Sequence, residues 1–131
     1  MKVTEHFSIE EFDCHDGTKY PQEWIDNRLK ILCIELELIR SFWGRPVKIL
    51  SGYRTQEYNT KIGGAPKSQH KEGRASDIQI DGISPKEVHD CILKMIKDGL
   101  LKNIKGLGLY KSFVHVDVRP TKELARWDMV D

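Results

Sequence analysis

Residues 68–80 read SQHKEGRASDIQI, and the last six of them decide the fold. From Ala75 the chain alternates, with Asp77, Gln79 and Asp81 on one side and Ile78 and Ile80 on the other. A period of two belongs to a strand with one face buried and the other polar. Asp77 therefore leaves the sheet on its polar face. His70 stands seven residues earlier, and Gly73 frees the loop between them to fold the imidazole back towards the carboxylate.

The same period returns in SFVHVDVR, residues 112–119. Val114, Val116 and Val118 take one face, and Phe113, His115, Asp117 and Arg119 take the other. Val47 to Ser51 reads as a further short strand, and Gly106 and Gly108 flank another. A short helix and a Gly-Gly-Ala-Pro loop fill the stretch QEYNTKIGGAPKS.

Two long helices complete the pattern. From about Pro21 to Trp43, apolar residues recur at Ile25, Leu29, Leu32, Leu36, Ile39 and Trp43, and Ile31, Ile34 and Leu38 widen the stripe. Gly44 ends this helix and Pro46 prevents its resumption. Ser84, Pro85 and Glu87 supply an N-cap, a first-turn proline and a capping-box partner for the second. Its inward residues are Val88, Cys91, Ile92, Met95 and Ile96, with Gly99 as the stop. Ser8 and Glu11 form another capping box, which opens a short helical turn through Phe12. The expected fold is α+β, with a small antiparallel sheet, two main helices on its apolar face and a polar cleft on the other. Residues 1–131 form one domain without repeats or linkers.

Composition removes several classes of function. Lys plus Arg number 21 and Asp plus Glu 20, so no excess charge points to nucleic acid or an acidic membrane. No apolar run is long enough to insert into a bilayer. The opening MKVTEHFSIEEF lacks the apolar stretch of a secretory signal, so synthesis and retention in the cytoplasm are expected until release by another agent. A monomer is expected. Cys14, Cys33 and Cys91 are too few and too scattered for a disulfide framework or a cysteine zinc site. Cys33 and Cys91 fall on apolar helix stripes, whereas Cys14 and His15 share a polar turn that is a weaker candidate for metal.

His70, Asp77 and His115 offer two imidazoles and one carboxylate, a ligand set for catalytic zinc with a fourth position left open. Zinc lowers the pKa of a bound water to about 7 and so supplies a nucleophile at neutral pH. The order His, Asp, His excludes the helix-borne HExxH arrangement. A lone strand histidine or a His and Asp seven residues apart is a weak signal, and the conjunction is what carries weight.

SGYRT (51–55), SQHKEGRASDIQI and GLYKSFVHVDVRP (108–120) together resemble the zinc D-alanyl-D-alanine carboxypeptidase family. That family includes L-alanoyl-D-glutamate endopeptidases of bacteriophages and shares a core fold with hedgehog signalling domains. HFSIEEF and the late Arg-Trp pair are similar to its small phage-type branch. The resemblance implies a cell-wall lytic peptidase acting on peptidoglycan stem peptides, carried to the wall by a holin-type pore or a virion. It makes His70, Asp77 and His115 the zinc ligands. It sets Arg54 to hold the substrate's carboxylate or the oxyanion, and Ser68 to brace the loop or contact substrate.

Members of the family often carry a glutamate general base three residues before the last histidine, and here that position is Ser112. Asp117 is the nearest alternative, either as the base or as a group that orients a ligand imidazole. Gln79 and Asp81 are weaker candidates. The departure at Ser112 also keeps open a zinc-containing module that binds wall peptides or a protein partner without cutting.

Overall fold

The alternating segments pair with each other, and their register builds the site. The structure, a computed structural model, describes residues 1–130. In chain order the strands are β1 (Lys2–Thr4), β2 (Phe7–Ser8), β3 (Val47–Ser51), β4 (Ala75–Ile80), β5 (Gly106–Leu109), β6 (Val114–Asp117) and β7 (Ala125–Asp128). The helices are α1 (Lys30–Trp43), α2 (Gln56–Lys61) and α3 (Pro85–Lys97). β1 and β2 form a small hairpin, and the main sheet has the order β3-β4-β6-β5-β7.

Ile78, Ile80, Val114, Val116, Leu107 and Leu109 leave one face of that sheet into the core. There they meet Leu32, Leu36 and Ile39 of α1 and Val88, Ile92 and Met95 of α3. The opposite face carries Asp77, His115 and Asp117. The two helices thus back the strands that hold the polar groups, as the alternation requires.

Three features depart from the sequence reading. The first long helix is not α-helical throughout: Gln22–Trp24 is a 3-10 turn and Ile25–Leu29 a π turn before α1 begins. These turns carry Trp24 against Tyr53 and set Arg28 over the Trp24 ring at 4.0 Å, while Leu29 stays in the core. The apolar stripe of α1 is also narrower than expected. Ile31, Ile34 and Leu38 are 36–47% exposed, because only the Leu32, Cys33, Leu36 and Ile39 side meets the sheet.

The third departure is β7, which runs parallel to β5 in a sheet that is otherwise antiparallel. The connection from β6 to β7 is short because β6 ends beside the start of β5. Asp117 is opposite Gly106, and Gly106 is in turn opposite Ala125. The chain crosses the end of β5 and follows its free edge. Nothing in the hydrophobic pattern announces this half-exposed strand.

One buried acid ties α1 to the approach to β5. Glu35 is 3% exposed, and its Oε1 accepts the backbone N–H groups of Asn103 and Ile104. Burial raises its pKa above the ordinary glutamate value against those two hydrogen bonds. Glu35→Ala should lower unfolding stability by about 1–3 kcal/mol, since two buried donors lose their acceptor. Glu35→Gln keeps an acceptor oxygen and should lose much less. A raised folded-state pKa adds stability below the unfolded value that is lost as pH rises through the folded value. Urea melts from acid to neutral pH should therefore show the Gln variant gaining on the parent as pH increases.

Candidate metal centre

β4 and β6 pair with Asp77 directly opposite His115. The loop before β4 turns back at Gly73, whose φ is +67°, and lays His70 beside them. Tyr20 fastens that turn by donating its hydroxyl hydrogen to the Gly73 carbonyl. A Cβ at Gly73 would stand 2.7 Å from the same hydroxyl. His70, Asp77 and His115 are all buried, and one ligand atom from each lies within 4.8 Å of the others.

The hydrogen bonds around the rings decide which atoms face the centre. His70 Nδ1 lies 2.7 Å from the Gly52 carbonyl oxygen, which can only accept, so Nδ1 carries the proton. Burial lowers the pKa of His70, which keeps the ring neutral and leaves Nε2 with a bare electron pair. That pair faces Asp77 Oδ1 at 3.1 Å. On the other side His115 Nε2 donates to Asp117 Oδ2 at 2.7 Å, and Nδ1 lies 3.2 Å from the same Asp77 Oδ1.

Electron-rich atoms therefore converge from three side chains, an arrangement that calls for a positive charge between them. Ligand atoms about 2 Å from a tetrahedral ion stand roughly 3.3 Å apart, close to the separations seen here. Burial opposes charge on Asp77 and His115, but their hydrogen bonds outweigh it. Asp77 is held well below the usual carboxylate range, and His115 is raised by Asp117 and Asp77. A proton on His115 is the alternative source of positive charge, and metal binding would displace it. The three residues fit a divalent metal by donor type and spacing.

A second ring of contacts holds the first. Arg54 lies 3.2 Å from the other Asp77 oxygen through Nη2, and its Nε and Nη1 reach Ser51 Oγ and Asn59 Oδ1. Asn59 is 1% exposed and donates its amide to the Ala65 carbonyl, which braces the loop that delivers His70. Ser68 Oγ accepts the His70 backbone N–H at 3.1 Å. Asp117 is fully buried, and its oxygens receive the Arg119 backbone N–H, the Arg119 guanidinium and His115 Nε2.

The centre opens into a cleft of about 530 Å³ whose lining includes Arg54, Ser68, Tyr110 and Trp127. Asp77 is the one acidic residue on that lining among the described residues. Gln79, Asp81 and Ser112 lie along a separate groove. Among the described residues His70, Asp77 and His115 form the only group able to hold a metal, so Cys14 and His15 assemble no second centre.

The sequence profile of the peptidase M15 family matches residues 5–117. This chain belongs to that family. M15 peptidases are in general zinc-dependent. The chain is 33% identical over 85 residues to a peptidoglycan L,D-endopeptidase, MepK, of Escherichia coli and to its namesake of Shigella flexneri. The match covers 60% of this chain and 43% of each relative, so the chain spans less than half the length of the curated relatives it matches. The M15 match ends at Asp117, which leaves β7 and Trp127 outside it.

Asn59 escaped the sequence reading, and Tyr110 and Trp127 entered it only within GLYKSFVHVDVRP and the Arg-Trp pair, with no role in the site. A signal for two further contacts was present in GLGL, where glycines alternate on the face that carries the site. A Cβ at Gly106 would stand 2.0 Å from Asp117 Oδ2, and one at Gly108 would stand 2.3 Å from Trp127 Nε1. Side chains of neighbouring strands lie across β5 where it has none. Gly106→Ala should displace Asp117, lower stability by about 1–3 kcal/mol and release the His115 ring. Imidazole nitrogen chemical shifts and a thermal melt would register both effects.

Proposed function

We propose that this protein is a zinc peptidase that hydrolyses a bond in peptidoglycan stem peptides, of D-Ala-D-Ala carboxypeptidase or endopeptidase type. The observation that carries the reading is the convergence of His70 Nε2, Asp77 Oδ1 and His115 Nδ1 at the floor of an open cleft. Zinc held there supplies Lewis acidity and a water of lowered pKa. The M15 family and the peptidoglycan L,D-endopeptidase relatives support the substrate class. The likeness of HFSIEEF and of Arg126-Trp127 to phage-type enzymes supports a lytic role at the cell wall.

The chain's own residues divide the remaining work. Arg54 orients Asp77 and lines the cleft, where its two remaining N–H groups can meet a substrate carboxylate or the oxyanion. Ser68 braces the loop of His70. Asp117 orients His115 and keeps its proton on Nε2, so that Nδ1 stays free for metal. Its burial and its full set of partners support this role over that of proton acceptor.

A second reading is favoured by one observation. No unpaired carboxylate lines the cleft among the described residues, which suits a zinc-containing module that binds wall peptides without cutting them. Purified sacculi incubated with the protein should release peptide fragments identifiable by mass spectrometry, and chelator should stop the release. Zinc-loaded protein that binds fragments and cuts none selects the second reading.

Asp117→Asn separates the two roles open to that residue. If it orients His115, zinc affinity measured against a chromophoric chelator should fall by about 10–100-fold, with activity regained at high zinc. Unchanged zinc affinity with hydrolysis down by ~10²–10⁴-fold would make Asp117 the base instead.

A further inference from the structure

The cleft has two unlike walls. Arg54 and Ser68 form the polar one. On the same lining, Tyr110 and Phe113 close the turn between β5 and β6, and Trp127, with the Arg119 guanidinium 5.5 Å over its ring, comes from β7, beyond the stretch matched by the M15 profile.

This second wall is built tightly. The Tyr110 and Phe113 rings stack at 4.5 Å and 11°, and the Tyr110 N–H donates to the Phe113 carbonyl at 3.0 Å. Trp127 is opposite Gly108 in the register, and its indole occupies the space a side chain there would fill. The indole lies 5.0 Å from the His115 ring, centroid to centroid. Its Nε1 donates to the Tyr110 hydroxyl oxygen at 2.9 Å.

An indole N–H is a donor only, so the Tyr110 oxygen must accept, and its own hydrogen is left to donate. No protein acceptor takes that hydrogen among the described residues. The ring is held by Phe113 and the oxygen by Trp127, so Tyr110 keeps one hydroxyl hydrogen to donate at the lining of the cleft, one indole away from the His115 imidazole.

We propose that Tyr110 donates this hydrogen bond to a main-chain oxygen of the bound peptide, at a residue adjoining the scissile bond, and that Trp127 is its positioning residue. Trp127 and Phe113, on the same lining, offer apolar surface to the hydrocarbon side of the same substrate residue. The inference rests on the peptidase reading and adds a subsite to it. A fixed donor ordered before substrate arrives loses little entropy on binding. Deleting it leaves a substrate oxygen dehydrated and unpaired.

The test is a double-mutant cycle on zinc-loaded protein with a synthetic stem pentapeptide ending in D-Ala-D-Ala and with a stem peptide carrying the L-Ala-D-Glu bond. On whichever peptide the parent cuts, Tyr110→Phe should lower kcat/KM by ~5–50-fold with zinc content unchanged and the fold retained. Trp127→Phe should lower it less, and its effect should disappear in the Tyr110→Phe background. Parent-level kcat/KM in Tyr110→Phe overturns the proposal, as does an equal Trp127→Phe effect in both backgrounds. If Trp127→Phe does not fold, Tyr110→Phe alone decides. If the parent cuts neither peptide the peptidase reading fails by itself, and calorimetric Kd values for the same peptides then decide on Tyr110. A parent that binds neither peptide overturns both.

Discussion

Everything in the site follows from one oxygen atom shared between two rings. Asp77 Oδ1 faces His70 Nε2 and His115 Nδ1 at nearly equal distance, and both rings have their other nitrogen committed elsewhere. Three lone-pair donors brought together away from water repel one another unless a cation sits among them. Unless a metal or a proton on His115 supplies that charge, the fold must hold this arrangement against its own repulsion. It does so with the antiparallel register of β4 and β6, the Gly52 carbonyl behind one ring and Asp117 behind the other.

The supports reach outward by charge. Arg119 neutralises Asp117 through two guanidinium contacts, so a fully buried carboxylate is tolerated beside the centre. Arg54 does the same for Asp77, and Asn59 links that arginine to the loop that carries His70. Two arginines and two aspartates thus alternate around two imidazoles.

Legibility in the sequence followed periodicity. β4 and β6 were plain because strict alternation over Ala75–Ile80 and Val114–Asp117 has one structural meaning, and Asp77, His115 and Asp117 lay on the polar phase of that alternation. The C-terminal part of the first long helix and all of α3 were plain from caps and apolar spacing. The first turns of the first helix depart from α geometry where Trp24 packs against Tyr53, a tertiary contact that no local pattern records. β7 was hidden because one tryptophan on a half-exposed edge makes no pattern. Asn59 was hidden because a buried amide that braces a loop looks like any polar residue of a short helix.

The position of β7 at the margin of the sheet gives the cleft two kinds of stiffness. β4 and β6 are flanked by strands on both edges, whereas β7 is joined to the sheet through β5 alone. Edge strands open locally at a fraction of the free energy needed to unfold a core. Slow amide exchange should therefore mark β4 and β6, and faster exchange the strand that carries Trp127. The margin beside Trp127 can open while His70, Asp77 and His115 keep their places.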